Sequence, residues 1–144
     1  MSERLILKLG GSVITDKSAG CAVDKARLAS IASAVAGARA GEIIVIHGAG
    51  SCGHPEAKRY RLDKGASAGN TEGIFVTHRA VSSLNDAVVL ALREEGIPAM
   101  GVHPLHTGIA DNGRLVGFEC RHVEKMLRLE MAGGHRRVHA SLLT

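Results

Sequence analysis

The stretch RLILKL at residues 4–9, followed by Gly10 and Gly11, determines the fold class that we expect. A short apolar run that ends at two glycines is typical of a buried strand entering a tight loop. A second run of this kind, IIVI at residues 43–46, follows a segment whose apolar residues have helical spacing. Strand, helix and strand in this order predict a parallel sheet with a right-handed crossover. The expected class is therefore α/β, with a mostly parallel sheet flanked by helices.

Three helices are predicted between and after these strands. The first begins after Asp24, a residue type that caps helix N-termini, and is closed by Gly41. The second covers residues 71–95, and the third covers residues 120–131. The polar segment 58–70 is expected to be a loop. The long second helix has an apolar face formed by Val76, Ala80, Leu84, Ala87, Val88 and Ala91.

The rest of the chain contains one more strand, a hairpin and an irregular end. Residues 97–102 are predicted as the strand. Asn112 and Gly113 are typical of a tight hairpin turn between residues 107–111 and 114–118. The stretch AGGHRRVHASLLT at residues 132–144 shows no regular period. We therefore divide the chain into one α/β unit at residues 1–131 and an atypical tail at residues 132–144.

The composition excludes several classes of function. The 144 residues are 45% hydrophobic and 22% charged, which is typical of a globular domain. The net charge is +4 without a long basic run, and only 2% of residues are aromatic, so a nucleic-acid partner is not expected. No apolar run approaches the roughly 18 residues that span a bilayer, and no signal peptide is apparent. We expect a cytoplasmic protein without a membrane partner.

The cysteines and two of the histidines are weak candidates for a site. Cys21, Cys52 and Cys120 are odd in number and lack CxxC spacing, so we expect reduced thiols and neither a disulfide nor a zinc site. His103 and His106 have metal-like spacing, but Pro104 lies between them and no cysteine or carboxylate is near. No metal ligand is therefore assigned.

Two glycine-rich turns carry the strongest chemical signal. KLGGS at residues 8–12 and GAGSCG at residues 48–53 each follow a predicted strand. Such loops at the carboxyl ends of parallel strands bind ligands in open α/β sheets, and glycine lets backbone N–H groups approach phosphate oxygens. Neither turn matches the P-loop or the dinucleotide-binding pattern. Each turn alone is more often structural, but two turns at one sheet edge, with lysines beside them, favour a phosphate site.

Three side chains near these turns have two interpretations each. Lys8 either blocks pairing at a sheet edge or faces a phosphate at the end of its strand. Lys17 is either a solvated loop residue or a second phosphate contact. His54, held between Gly53 and Pro55, is either a surface histidine or a ligand contact.

Three longer segments together resemble one enzyme family. They are LKLGGSVITDK at residues 7–17, HGAGSCGHPEAKRY at residues 47–60, and GIFVTHRAVSSLN at residues 73–85 followed by GIPA at residues 96–99. They are similar to the archaeal-type isopentenyl phosphate kinases, which have the amino acid kinase fold, and the similarity runs over residues 5–131. It implies transfer of the γ-phosphoryl group of ATP, with Mg²⁺, to isopentenyl phosphate. The family commonly dimerises through this half, which implies a homodimer.

The resemblance also implies roles for individual residues. The residues that would contact ATP are Lys8, Leu9, Gly10, Gly11, Ser12 and Gly50. Those that would contact the acceptor phosphate are Ala49, Gly53 and His54. The side chains that would act in catalysis are Lys8, Lys17 and His54. The apolar tail of the acceptor would lie against the long helix, at Ile74, Thr77 and Val81, although this face is equally readable as ordinary core.

The sequence departs from this family at two places. Cys52 stands at a position that is typically aromatic. After the helix at residues 120–131, family members continue with a strand, a glycine-aspartate loop and the half that binds adenine and ribose. We therefore expect a C-terminally truncated member, the acceptor-binding half, with poor or no turnover by itself. Two alternatives stay open: a fosfomycin-type kinase of the same fold acting on a small phosphonate or phosphate, and a non-catalytic fragment that binds a phosphorylated ligand.

Overall fold

The computed structural model describes residues 4–18, 20–38, 42–111, 114–128 and 137–142, with the backbone alone at 128 and 137–142. In chain order the elements are β1 (Arg4–Leu9), α1 (Gly11–Ile14), β2 (Thr15–Asp16), β3 (Ala22–Val23), α2 (Lys25–Gly37), β4 (Glu42–His47), α3 (His54–Arg59), α4 (Thr71–Glu94), β5 (Ala99–Val102), β6 (Gly108–Asp111), β7 (Arg114–Phe118), α5 (Arg121–Arg128) and β8 (Arg137–Leu142). Short 3₁₀ turns lie at Gly50–Cys52, Leu62–Lys64 and Pro104–His106.

A four-stranded parallel sheet forms the centre of the molecule. Its strand order is β1-β4-β8-β5, and every neighbouring pair is parallel. Leu9 at the end of β1 stands opposite His47 at the end of β4. The predicted α/β class is therefore confirmed, and the loops after β1 and β4 emerge side by side.

The prediction that residues 4–9 are buried is wrong for most of β1. Only Leu9 is buried, whereas Leu5 and Ile6 are 41% and 62% exposed. The physical reason is position, because β1 is the edge strand of the described sheet. In β4, one strand further in, Ile43 and Val45 are fully buried.

The helices follow the predicted positions closely. Asp24 caps α2 as expected, since its Oδ1 accepts a hydrogen bond of 3.0 Å from the Arg27 backbone N–H. The helix ends at Gly37, and the predicted stop at Gly41 lies outside the described residues. Helix α4 matches the predicted extent to within one residue.

Most of the predicted face of α4 contacts the core. Leu84 and Val88 are buried, and three half-buried alanines pack against the core: Ala80, Ala87 and Ala91. The other side chains of the buried face are Val81, Asn85 and Leu92. This face packs against α2 and the sheet, and together they form the aliphatic core.

The predicted loop at residues 58–70 is confirmed except at its first two residues, which end α3, and it contains the short turn Leu62–Lys64. The stretch expected to be an atypical tail supplies β8, which pairs with both β4 and β5. The boundary at residue 131 therefore does not separate the tail from the sheet. The signal that could have found β8 is the alternation of apolar and polar residues in RVHASL.

The predicted hairpin is confirmed. Strands β6 and β7 pair antiparallel, with Asp111 opposite Arg114. The turn residues Asn112 and Gly113 lie outside the described residues, as do positions 129–131 of the third predicted helix. Among the described residues, no helix has the length and hydropathy needed to cross a bilayer.

Candidate active site

The two glycine turns lie in direct backbone contact at the carboxyl end of the sheet. The Gly48 N–H donates a hydrogen bond of 3.0 Å to the Leu9 carbonyl, which extends the β1–β4 ladder into the loops. A Cβ on Gly11 would lie 2.5 Å from the Gly50 Cα and 2.9 Å from the Gly48 carbonyl carbon. Any side chain at residue 11 would therefore force the two loops apart.

Gly50 is required for two independent reasons. Its φ of +54° lies in the left-handed region that side chains disfavour. A Cβ there would also lie 2.6 Å from the Gly11 carbonyl oxygen. The loop geometry thus depends on glycine on both sides of the contact.

Thr15 and Ser51 hold the two loops together. The buried Thr15 Oγ1 donates to the Gly11 carbonyl at 2.8 Å and accepts from the Ser51 N–H at 3.1 Å. The Ser51 hydroxyl donates to the Asp16 carbonyl at 3.1 Å. These bonds fix the loop after β4 to both the β1 turn and the β2–β3 hairpin.

Backbone donors remain free in both turns. The N–H groups of Gly10, Gly11, Ser12 and Ala49 have no protein acceptor within the described ranges of the chain. Those of Gly11 and Ser12 open the first turn of α1, where N–H groups have no partner within the helix. Unpaired donors in two contacting turns at a sheet edge favour an anion.

The predicted cations lie around these turns. Lys8 is exposed and precedes Leu9, so its side chain leaves β1 on the face opposite to the core. Lys17 follows β2, next to the hydrogen bond between Ser51 and Asp16. His54 is exposed at the first position of α3, directly after the loop. None of the three forms an ion pair with any described carboxylate.

The expectation of reduced cysteines is wrong for two of the three. Cys21 in the β2–β3 turn forms a disulfide with Cys52 at the end of the turn Gly50–Cys52. Spacing could not show this pairing, because the partners are 31 residues apart and meet only when the hairpin packs on the loop. Cys120 is free and exposed.

A buried polar pair behind the second turn was not found from the sequence. His47 and Asn85 are both fully buried, and 3.0 Å separates His47 Nε2 from Asn85 Oδ1. Burial lowers the pKa of His47 below its ordinary value. The only signal in the sequence is a histidine directly before the glycines, which by itself does not predict a partner on α4.

A cavity of about 440 Å³ opens next to the second turn. It is lined by Ala57, Leu62, Asp63, Ile74, Thr77, His78, Val81, His103, Pro104 and Leu105. The three residues expected to meet an apolar tail, Ile74, Thr77 and Val81, therefore share one cavity. Val81 connects it to the loop, because a Cβ on Gly53 would lie 3.0 Å from Val81 Cγ1.

Two histidines line this cavity, His78 and His103, and the ring of His106 lies beside both of them. The ring centroids of His78, His103 and His106 lie 5.9 to 6.1 Å from one another. Within the part of the chain that the structure describes, no group of three His, Cys, Asp or Glu side chains is placed to hold a metal ion. The cluster contributes polar edges to an otherwise largely aliphatic wall.

Comparison with known proteins gives a consistent result. The sequence profile of the amino acid kinase family matches residues 3–142. The isopentenyl phosphate kinase of Methanothermobacter thermautotrophicus is 42% identical over 119 residues, which are 77% of this chain and 44% of that protein. That of Haloferax volcanii is 40% identical over 124 residues, 85% of this chain and 50% of that protein. The chain thus spans about half the length of the curated relatives it matches.

Solved structures of isopentenyl phosphate kinases are also similar to this chain. An X-ray structure of isopentenyl phosphate kinase superposes with a TM-score of 0.85 at 33% identity, covering 97% of this chain and 56% of the other. A product complex of the Thermoplasma acidophilum isopentenyl phosphate kinase superposes with a TM-score of 0.77 at 28% identity. The match covers 98% of this chain and 57% of the other. The UMP kinase of Ureaplasma parvum shares the fold, with a TM-score of 0.63 at 13% identity. The match covers 98% of this chain and 55% of the other.

Proposed function

This chain belongs to the amino acid kinase family, and we propose that it supplies the acceptor side of a kinase that transfers the γ-phosphoryl group of ATP to isopentenyl phosphate. The observation that carries the proposal is the pair of contacting glycine turns with unpaired N–H donors. Two anionic phosphates must approach each other for this reaction, and such donors offset their repulsion. The relatives named isopentenyl phosphate kinase support the choice of acceptor.

On the nucleotide side, the first turn fits the phosphates of ATP. The N–H groups of Gly10, Gly11 and Ser12 donate to no described acceptor, and a Cβ at Gly11 would close the space between the turns. Lys8 adds a positive charge beside the phosphates, and Leu9 and Gly50 contact ATP through their backbone atoms. When bound, ATP supplies the phosphoryl group. Mg²⁺ is part of the proposal through those phosphates, with which it is usually bound in kinases.

On the acceptor side, we assign the phosphate to the second turn. The Ala49 N–H is a free donor, and His54 follows the closely packed Gly53 at the start of α3. Lys17 stands on the hairpin that is bonded to this turn, so its charge is available to the group in transfer. Positioning and charge stabilisation are the roles that a phosphate acceptor requires.

The cavity beside α4 takes the apolar tail in this proposal. Ile74 and Val81 supply apolar wall, and Val81 joins the cavity to the phosphate turn through Gly53. A ligand with a phosphate at the turn and a short hydrocarbon chain in the cavity satisfies both parts of the site. We also propose a cytoplasmic homodimer without nucleic-acid or membrane partners.

Calorimetric titration tests the proposal. Isopentenyl phosphate should bind more tightly than isopentenol or inorganic phosphate, because only the first fills the turn and the cavity together. A small phosphonate in the same series tests the fosfomycin-type alternative. Preferential binding of the phosphonate, or equal affinity for isopentenyl phosphate and inorganic phosphate, would contradict the proposed acceptor.

A matched pair of lysine variants tests the nucleotide side. Lys8→Ala should weaken ATP binding severalfold, because it removes a charge beside the first turn. Lys25, another exposed lysine, begins α2, and Lys25→Ala serves as the control that should leave ATP binding unchanged. If the two variants behave alike, Lys8 is an edge-strand lysine only.

A further inference from the structure

The buried His47–Asn85 pair lies directly behind the turn assigned to the acceptor phosphate. His47 ends β4, and Gly48 begins the turn. Asn85 comes from the middle of α4, and its amide occupies space that a side chain at residue 101 would fill. Both side chains have no solvent exposure. A polar pair in this core is costly to bury unless its hydrogen bonds are made.

Two contacts of the His47 ring bear on where its proton lies. Each ring nitrogen of His47 faces an oxygen: Nε2 faces Asn85 Oδ1 at 3.0 Å, and Nδ1 faces the Gly48 carbonyl at 3.3 Å. A neutral imidazole has one N–H and cannot donate to both. Asn85 Nδ2 is meanwhile buried without an acceptor in the described part of the chain. Rotating the amide by 180° turns Nδ2 toward Nε2 and provides the missing donor.

This arrangement leaves the ring proton on Nδ1, where it donates to the Gly48 carbonyl. Carbonyl and N–H of one trans peptide point in opposite directions. Holding the Gly48 carbonyl against His47 therefore turns the Ala49 N–H away from the core. That N–H is one of the free donors of the second turn.

We propose that His47 is a positioning residue, held by Asn85 as the neutral Nδ1–H tautomer, which orients the Gly48–Ala49 peptide so that the Ala49 N–H faces the acceptor phosphate. The phosphate rests on the proposed function, whereas the tautomer and the peptide orientation do not. His47 itself does not touch the ligand. Its burial and lowered pKa keep the ring uncharged at neutral pH.

Nuclear magnetic resonance of the ¹⁵N-labelled 144-residue chain tests the tautomer without a ligand. At pH 7 the ring nitrogens of His47 should show a protonated Nδ1 and an unprotonated Nε2. Asn85→Leu removes the partner of Nε2, so this variant should show a mixture of tautomers. A protonated Nε2 in the wild-type chain, as the other tautomer or as imidazolium, would overturn the proposal.

Two substitutions of His47 separate positioning from packing. His47→Asn keeps an amide N–H near the place of Nδ1, whereas His47→Gln keeps one near the place of Nε2. The Ala49 amide resonance should stay in place in His47→Asn and shift in His47→Gln. Isopentenyl phosphate affinity should fall about tenfold in His47→Gln and by less than about threefold in His47→Asn. Equal effects in both variants would mean a packing role only and overturn the proposal.

Failure of the proposed function is distinguishable from failure of this inference. If the wild-type chain does not bind isopentenyl phosphate, the proposed acceptor is wrong, and the Ala49 resonance and the tautomer still decide the positioning role. If the wild-type chain binds the ligand while both His47 variants bind it equally well, the acceptor stands and the positioning role is wrong. If His47→Gln does not fold, the tautomers of His47 in the wild-type chain and in Asn85→Leu are compared instead.

Discussion

In the proposed function, His54 is the side chain that contacts the acceptor phosphate. It stands exposed at the first position of α3, without an ion-pair partner among the described residues. A phosphate acceptor brings its own nucleophilic oxygens at neutral pH, so the imidazole has only to donate a hydrogen bond and hold the phosphate in place. His54 would therefore act as a positioning hydrogen-bond donor, and a general base is not needed.

We predict that His54→Gln keeps more affinity for isopentenyl phosphate than His54→Ala. The Gln amide retains a donor, whereas Ala removes it, and a hydrogen bond to a charged group is worth about tenfold or more in affinity. Calorimetric titration measures both, with His122→Ala on α5 as a control at a histidine that the proposal gives no role. Unchanged affinity in His54→Ala would reduce His54 to a surface residue.

At the scale of elements, the β2–β3 hairpin and the turn Gly50–Cys52 act as one unit. Two hydrogen bonds and the Cys21–Cys52 disulfide join them. The hairpin carries Lys17, and the turn carries the proposed acceptor contacts. In the proposed function, this connection would set the distance between Lys17 and the acceptor phosphate.

Removing the disulfide should destabilise the fold. For a loop closed over 31 residues, the chain-entropy relation gives about 3–4 kcal/mol. Cys21 is exposed, so Cys21→Ser breaks the bond without a cavity, and urea unfolding should show a lower midpoint. Cys120→Ser is the control, because Cys120 is free and exposed. A thiol assay on the oxidised chain should find one free cysteine; three would contradict the pairing.

The elements also show what the sequence could and could not predict. The strands at residues 4–9 and 43–46, the long helix, the Asp24 cap and the glycine turns follow from local patterns, because periodicity, capping and turn chemistry are properties of neighbouring residues. The exposure of β1, the additional buried side chains of α4 and the contact between Cys21 and Cys52 depend on what packs against each element. His47 and Asn85 meet from 38 positions apart, and no local pattern encodes that distance.

At the scale of the whole molecule, the buried His47 links stability to pH. Its pKa is lowered from 6.5 in the folded chain, chiefly by burial. Below about pH 6.5 the unfolded chain therefore binds a proton that the folded chain does not. The free energy of unfolding should fall as the pH decreases through this range, by up to about 1.4 kcal/mol per pH unit for one site.

The His47→Asn variant isolates this contribution. Asn does not titrate, so the difference in unfolding free energy between wild type and variant should shrink from pH 7 to pH 5. Urea unfolding at several pH values gives the free energy of unfolding as a function of pH for the wild type and the variant. Parallel profiles would show that His47 titrates alike in the folded and unfolded chains, contrary to its burial.

The distribution of the site over the whole chain predicts how the 144-residue polypeptide behaves when assayed alone. It holds both glycine turns, the proposed cations and the tail cavity, yet it spans about half the length of the relatives. Phosphoryl transfer depends almost entirely on positioning both phosphates, and a loosely held nucleotide loses most of that advantage. We predict that the chain binds isopentenyl phosphate but turns over far below the ~1–100 s⁻¹ typical of kinases. A coupled assay of ADP release measures the rate, with Lys8→Ala as the blank for contaminating kinase. Turnover in the typical range, lost in that variant, would show that the residues described here hold ATP without further protein.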